Sequence, residues 1–198
     1  MKRTILLILI LLLLSTITCA ETKPSQSPKS RLHNAELPNL KGKKAHPVEG
    51  KGRKASVLLF ITPDCPISNA YAPEFNAIVR EFAPKKIAFS LIYVATELSG
   101  KQLEKHAKDF GYVCPTFVDR KNSLVQRVYA RITPEVVVIL PTGTTAYQGK
   151  IDNLYVDFGK KRHEPTERYL RDALVAILEG KRVTVTRTAP IGCFIPAP

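Results

Sequence analysis

The stretch Val57-Leu58-Leu59-Phe60-Ile61-Thr62-Pro63-Asp64-Cys65-Pro66-Ile67-Ser68-Asn69 decides the fold of this chain. It begins with apolar residues, most of them branched, which predict a fully buried β-strand. Thr62-Pro63-Asp64 interrupts that pattern, and Pro66 suits the first turn of a helix, where the N–H that proline lacks would have no partner. Cys65 is therefore predicted at the junction, where a helix begins just after the carboxyl end of a parallel strand.

The position of Cys65 predicts a reactive thiol. Free N–H groups and the dipole at a helix N-terminus favour the thiolate, which can lower a cysteine pKa from about 8.5 to roughly 3.5–7.5. The thiolate is the nucleophilic form of cysteine. A cysteine that only packs in the core is the alternative, but such a residue is expected inside the apolar run rather than after it.

This stretch resembles the thioredoxin-like redoxins, the alkyl hydroperoxide reductase/thiol-specific antioxidant superfamily. Thioredoxins carry Cys-x-x-Cys at this turn, whereas Cys65-Pro66-Ile67-Ser68 keeps the first cysteine and has Ser68 in place of the second. Thr62-Pro63-Asp64-Cys65 also fits the Thr-x-x-Cys core of a peroxiredoxin, although the proline usual just upstream is absent. The resemblance implies catalytic roles for Cys65 and Thr62, with Ser68 as a hydrogen-bond donor to the thiolate.

The remaining pattern alternates strands with helices, which predicts a mixed α/β layer fold. A helix is expected from the Cys65 turn to about Phe82, and the later elements are strand 87–95, helix 99–110, strand 116–119, helix 124–129, strands 135–140 and 144–148, and helix 166–178. This order matches the redoxin version of the thioredoxin fold, with a central mixed sheet flanked by helices, an amino-terminal hairpin and a carboxyl-terminal tail. The expected divisions are a signal peptide (1–20), a flexible linker (21–36), the redoxin domain (37–180) and the tail (181–198).

The amino end has the order of a secretory signal peptide. Met1-Lys2-Arg3 is basic, Ile5 to Leu14 is apolar, and Thr18-x-Ala20 suits cleavage. The apolar run is shorter than the ~20 residues that a spanning helix needs. Export predicts a location in the periplasm or another extracytoplasmic, oxidising compartment, where disulfides persist. The alternative to a cleaved signal is a membrane anchor, through an uncleaved signal or a lipidated Cys19.

The formal charge of +13 could indicate a nucleic acid or an anionic membrane as partner. The basic residues are scattered, however, and aromatic residues do not alternate with them. We therefore expect a solvated basic surface, no nucleic-acid partner and only weak association with a membrane surface. The expected partners are a protein thiol or disulfide, or a small peroxide. The sequence leaves the oligomeric state open.

The resemblance also implies a substrate-binding loop at Arg131-Ile132-Thr133-Pro134. Thioredoxin-like proteins place a cis-proline before a strand, facing the active cysteine, and Pro134 occupies that place. The Thr133 backbone would then pair with a substrate strand. Arg131 is the cation that could polarise a peroxide, with a plain surface arginine as the alternative. Glu135 or Asp64 would raise the pKa of Cys65 if close to it.

Removal of Cys19 leaves Cys65, Cys114 and Cys193, an odd number that predicts a reactive or unpaired thiol. The ending Gly192-Cys193-Phe194-Ile195 resembles that of exported redoxins with a single active-site cysteine, which implies that Cys193 resolves or statically bridges Cys65. A docked tail whose thiol merely packs is the alternative. Cys114 is expected to be a small buried cysteine, away from the active site.

These observations predict an exported thiol-disulfide oxidoreductase without a cofactor. A thiol peroxidase is the second enzyme class, with Cys65 passing through sulfenic acid. A copper-binding module, using Cys65 and Cys193 with His163, is a third class, and a non-catalytic scaffold is a fourth. Residues 149–165 exceed what a thioredoxin needs, and they could wall the site or bind a partner.

Overall fold

A computed structural model describes residues 30–196 of this chain. The predicted signal peptide and most of the predicted linker therefore lie outside the described residues. The helices are α1 (Ser30–His33), α2 (Pro66–Ala70), α3 (Ala72–Phe82), α4 (Gly100–Asp109), α5 (Ser123–Val128) and α6 (Tyr169–Leu178). The strands are β1 (Leu37–Pro38), β2 (Lys44–Ala45), β3 (Ala55–Ile61), β4 (Ile87–Val94), β5 (Thr116–Asp119), β6 (Ile132–Thr133), β7 (Glu135–Ile139), β8 (Thr145–Gly149), β9 (Tyr155–Asp157), β10 (Lys160–Lys161) and β11 (Cys193–Phe194).

A five-stranded mixed sheet with the order β5-β4-β3-β7-β8 forms the centre of the molecule. Strands β3, β4 and β5 run parallel, and β7 and β8 continue the sheet in antiparallel pairs. Strand β3 is buried along its whole length, as its continuous apolar sequence predicts. The central position of β3 brings its carboxyl end, and therefore Cys65, beside the start of β7.

The sheet separates two apolar layers, because alternate residues of a strand face opposite sides. Val57, Leu59 and Ile61 of β3 face a layer that contains Phe75 of α3 and Leu170 of α6. The intervening residues of β3 face a second layer with α5, and this layer also includes Leu32. The predicted α/β architecture and the amino-terminal hairpin (β1 with β2) are confirmed.

The sequence predicts the boundary between linker and domain at residue 37. Helix α1 precedes it, and Leu32 and Ala35 are buried in the second apolar layer. The folded unit therefore begins before the predicted hairpin, because these apolar side chains cover one face of the sheet.

The last helix also begins later than predicted, at Tyr169 rather than Thr166. The side chain of Asn153 accounts for the difference, since its Oδ1 accepts hydrogen bonds from the backbone N–H groups of Thr166 (2.9 Å) and Glu167 (3.1 Å). These two residues therefore belong to the connection with the 149–165 insertion, which itself contains the β9–β10 hairpin.

The tail is part of the fold rather than a free end. The Thr188 N–H donates to the Gln148 carbonyl on β8 (3.1 Å), and the Ile195 N–H donates to the Arg131 carbonyl (2.8 Å). The tail thus crosses from the β8 edge of the sheet to the loop before β7. Within residues 30–196, the structure has no helix that is both long and apolar enough to span a membrane.

Candidate active site around Cys65

Cys65 lies at the N-cap of α2, with Pro66 in the first turn, as predicted. Its sulfur accepts a hydrogen bond from the Ser68 backbone N–H at 3.4 Å. The same sulfur lies 3.1 Å from the Thr133 carbonyl oxygen, to which the protonated thiol donates. The side chain is almost fully enclosed, with an exposed fraction of 1 %. Cys65 is therefore held between the start of a helix and the Thr133-Pro134 loop.

The balance of burial and hydrogen bonding favours the Cys65 thiolate. Burial by itself raises the pKa, but interactions with the Ser68 side chain, the Cys193 thiol, the Ser68 N–H and Thr133 outweigh it, so the pKa lies below its ordinary value. The Ser68 hydroxyl is buried and has no hydrogen-bond partner of good geometry among the described residues. The Ser68 hydroxyl therefore makes no direct hydrogen bond to the Cys65 sulfur, and its role as a donor to the thiolate stays a prediction.

The Thr133-Pro134 peptide is cis, as the sequence predicted. Glu135 fixes the loop before it, because one carboxylate oxygen accepts from the Arg131 N–H (3.0 Å) and the other from the Gln148 side-chain amide (2.8 Å). The carboxylate is buried, with an exposed fraction of 3 % for the residue. Glu135 therefore holds the backbone of the loop, a role that differs from the predicted effect on the Cys65 pKa.

The tail brings Cys193 to Cys65. Strand β11 pairs antiparallel with β6 so that Cys193 lies opposite Thr133 and Phe194 opposite Ile132. The Thr133 hydroxyl donates to the Cys193 carbonyl at 3.4 Å. Both cysteines are free thiols, and the interaction with Cys193 is one of the causes that lower the pKa of Cys65. The pairing of β11 with β6 brings Cys193 beside the loop that contacts Cys65, and its resolving role stays a prediction.

The pKa of Cys193 moves in the opposite direction. Burial, the hydrogen bond to Cys65 and the nearby charges of Cys65 and Asp64 raise it to about 12. Asp64 therefore acts on Cys193 rather than in the predicted way on Cys65. Cys65 therefore ionises first, and Cys193 keeps its proton when Cys65 has become a thiolate.

The 149–165 insertion forms one wall of the site, a role that the sequence left open. The Tyr71 hydroxyl donates to the Asp152 carboxylate at 2.5 Å, and the Tyr71 ring lies 5.5 Å from that of Tyr155. Burial raises the pKa of Asp152. A small cavity beside cis-Pro134 is lined by residues of four segments: Tyr71, Pro134, Lys150, Ile151, Tyr155 and Ile191.

A second group that sequence reasoning missed lies behind the Cys65 turn. The Asn69 amide donates to the Pro63 carbonyl (2.9 Å), and its oxygen lies 3.1 Å from His106 Nε2. The other ring nitrogen of His106 lies 2.6 Å from the Tyr93 hydroxyl. A neutral ring with its proton on Nε2 satisfies both contacts, and burial lowers the pKa of His106. The helical spacing of α4 gave no signal for this contact with Asn69.

The other predicted residues lie at differing distances from this chemistry. The Thr62 hydroxyl lies 3.4 Å from that of Thr133, so it supports the loop. The Arg131 side chain is exposed, while its backbone pairs with Glu135 and the tail. Cys114 precedes β5, and burial raises its pKa to about 12. His163 is exposed, and residues 30–196 contain no cluster of three or more His, Cys, Asp or Glu side chains that would hold a metal ion.

Comparison with solved structures identifies the fold as thioredoxin-like. A hypothetical protein (SMc02350) from Sinorhizobium meliloti superposes with a TM-score of 0.72 at 25 % identity, over 83 % of this chain and 91 % of the other. A conserved protein from Geobacillus kaustophilus gives 0.68 at 23 % identity, over 82 % and 88 %. A secreted disulfide oxidoreductase from Mycobacterium tuberculosis, described as homologous to E. coli DsbE, gives 0.52 at 18 % identity, over 76 % and 98 %.

No protein-family model matches this sequence, and no curated protein is similar to it. The class is therefore defined by structure: a thioredoxin-like fold whose solved neighbours include thiol-disulfide oxidoreductases.

Proposed function

We propose that this protein is an exported thiol-disulfide oxidoreductase in which Cys65 attacks and Cys193 resolves. The observation that carries the proposal is the pairing of β11 with β6, which places Cys193 opposite Thr133, while the Cys65 sulfur lies 3.1 Å from the Thr133 carbonyl oxygen beside cis-Pro134. The pKa of Cys65 is also lowered. A lowered pKa makes Cys65 both an available nucleophile and a good leaving group. The solved neighbours support the same class of chemistry.

The reaction balances with the two protein thiols alone. The Cys65 thiolate attacks a sulfur of the substrate disulfide, that S–S bond breaks, and one substrate thiolate leaves and takes up a proton. Cys193 then loses its proton and attacks Cys65, so that the second substrate thiol leaves and a Cys65–Cys193 disulfide forms. The substrate disulfide gains two electrons and the protein pair loses them. An external dithiol reduces the pair again, and the same steps in reverse oxidise a substrate dithiol.

Export rests on the amino-terminal sequence. The basic start, the Ile/Leu run and Thr18-x-Ala20 support a signal peptide, and one solved neighbour is a secreted disulfide oxidoreductase. An oxidising compartment would maintain the Cys65–Cys193 disulfide until a partner reduces it.

Single-cysteine variants test the assignment. With a disulfide-bonded peptide as substrate, we expect Cys65→Ser to lose turnover and Cys193→Ser to accumulate a mixed disulfide at Cys65, read by intact mass. Cys114→Ser is the matched control and should behave as the unsubstituted protein. Unchanged turnover in Cys193→Ser would remove the resolving role, and unchanged turnover in Cys65→Ser would overturn the proposal.

The same proteins separate this function from the other classes. Peroxide consumption followed by stopped flow, faster than disulfide exchange, would favour a thiol peroxidase instead. Copper retained through purification and lost in Cys65→Ser would favour the metal-binding module. We expect disulfide exchange to be the faster reaction.

A further inference from the structure

The tail segment, residues 191–195, occupies the loop edge next to Cys65. Strand β6 has only two residues, and both are paired with β11. The Ile195 N–H extends the pairing to the Arg131 carbonyl at 2.8 Å. An extended segment of another protein could reach the Cys65 sulfur along this edge only by taking the place of the tail segment.

The residues of the tail segment also indicate which side chains fit beside strand β6. A Cβ atom added to Gly192 would lie 1.9 Å from the Thr133 carbonyl oxygen and 3.2 Å from Pro134 Cδ, so the position before the cysteine has no room for a side chain. The residue before that, Ile191, lines the small cavity together with Tyr71, Ile151 and Tyr155, so the position two residues before the cysteine faces a partly aromatic wall. Phe194, just after the cysteine, has an exposed fraction of 82 %, so this position does not restrict the type of side chain.

We propose that the β6 edge and the Tyr71–Tyr155 cavity bind an extended protein segment with the pattern apolar–Gly–Cys, and that the tail segment is the intramolecular occupant of this site. The inference rests on the proposed function for the reacting sulfur of Cys65. Main-chain pairing at β6 supplies affinity, and the cavity and the closed Gly192 position supply specificity. The partner is therefore a protein whose reactive cysteine follows a glycine.

The tail can vacate the edge without being lost from the site. Thr188 remains attached to β8 through its N–H on the Gln148 carbonyl (3.1 Å) and its hydroxyl, which accepts from the Lys150 N–H at 2.9 Å. Only a few residues separate Thr188 from Cys193. A displaced Cys193 therefore stays close enough to return and resolve the mixed disulfide when the partner segment leaves.

Peptides carrying a chromogenic disulfide test the pattern directly. The probe is acetyl-Ala-Pro-Ile-Gly-Cys-Phe-amide joined through its cysteine to thionitrobenzoate. The Cys65 thiolate attacks the peptide sulfur, the S–S bond breaks, thionitrobenzoate leaves as a coloured thiolate, and a Cys65–peptide disulfide remains. Matched peptides replace glycine by alanine or isoleucine by serine, and Ellman's reagent reports the reactivity of Cys65 without a peptide.

The full-length Cys193→Ser protein is used with and without Gly192→Val, which should expel the tail segment. We expect the glycine peptide to react about tenfold faster than the alanine peptide, since the cost of one overpacked methyl group is typically of about that size. Gly192→Val should increase the rate at which Cys65 reacts with the glycine peptide more than the rate at which it reacts with Ellman's reagent. Ile191→Ser is a second, milder way to loosen the tail segment, and Val185→Ser, exposed and outside it, is the control.

Equal rates for the three peptides, with Ellman's reagent still reacting, would overturn this inference and leave the proposed function standing. A Cys65 that reacts with neither peptide nor Ellman's reagent would instead refute the proposed function. Tail exchange between two copies, seen as a concentration-dependent dimer that peptide does not disperse, would also overturn the inference. Thermal melts of each variant establish that the fold is retained.

Discussion

At the scale of single residues, the site depends on two sulfurs with opposite pKa shifts. The pKa of Cys65 lies below its ordinary value because Ser68 and Cys193 interact with its sulfur, whereas the pKa of the neighbouring Cys193 is raised to about 12. As the pH rises, Cys65 therefore loses its proton before Cys193, the cysteine proposed to resolve the mixed disulfide, loses its own. A resolving thiol that stays protonated cannot compete as a nucleophile before the mixed disulfide forms.

Removal of the Cys193 thiol should raise the pKa of Cys65. The hydrogen bond from Cys193 stabilises the thiolate, and Cys193→Ala removes it. We expect the pH profile of Cys65 alkylation by iodoacetamide to move to higher pH, since the thiolate is present only above the pKa. Cys114→Ala is the control and should leave the midpoint in place. A midpoint that does not move would show that the two thiols are uncoupled.

At the scale of secondary-structure elements, the short strand β6 must hold Thr133 toward Cys65 on one side and the tail on the other. Glu135 makes this possible because its buried carboxylate accepts from the Arg131 N–H (3.0 Å) and the Gln148 amide (2.8 Å). One buried side chain thus joins the loop before β7 to strand β8, whose Gln148 amide also donates to the Val128 carbonyl at 3.0 Å.

Loss of the Glu135 carboxylate should destabilise the fold and release the loop. Glu135→Ala removes the acceptor of the Arg131 N–H and one of the two acceptors of the Gln148 amide, which we expect to lower the free energy of unfolding by about 1–3 kcal/mol. Glu135→Gln keeps an acceptor for one of these donors and should lose less. Urea unfolding measures both, with the exposed Glu164→Ala as control. A Glu135→Ala protein as stable as this control would contradict the role given to the carboxylate.

The elements also show what the sequence could predict. Strand β3 and the Cys65 turn follow from adjacent residues, since apolar runs and prolines constrain the backbone locally. The contacts of Glu135 with Gln148 and of Tyr71 with Asp152 join segments distant along the chain, and a single sequence carries no local signal for them. The cis peptide at Pro134 and the return of Cys193 toward Cys65 were implied by the family resemblance rather than by the residues alone.

At the scale of the whole molecule, the tail closes a loop that contains most of the fold. A Cys65–Cys193 disulfide would enclose everything from α2 to α6, and the chain-entropy model gives such a loop a stabilisation of about 5 kcal/mol. Folding and the disulfide stabilise each other by the same free energy. A static disulfide would stabilise the fold by this full free energy, whereas a catalytic disulfide must stay easy to reduce and should stabilise the fold less.

The pKa shifts of the two thiols stabilise the reduced protein, which should make the difference in unfolding free energy between the oxidised and reduced forms smaller. The pKa of Cys65 is lowered on folding, so its contribution to stability is lost as the pH falls through the native pKa and is complete only above the unfolded value of 9.0. The pKa of Cys193 is raised, so its contribution is complete below 9.0 and is lost as the pH rises toward about 12. Both contributions are therefore largest together near pH 9.

We expect oxidation to stabilise the protein by clearly less than about 5 kcal/mol, with the smallest gain near pH 9. Urea unfolding of the oxidised and reduced forms between pH 6 and pH 9 measures the difference. Cys193→Ser should show no change on oxidation, because it cannot close the loop. A gain of the full size at every pH would identify a static bridge. The reactive arrangement would then be a scaffold, since reduction of such a disulfide would oppose the stability of the whole fold.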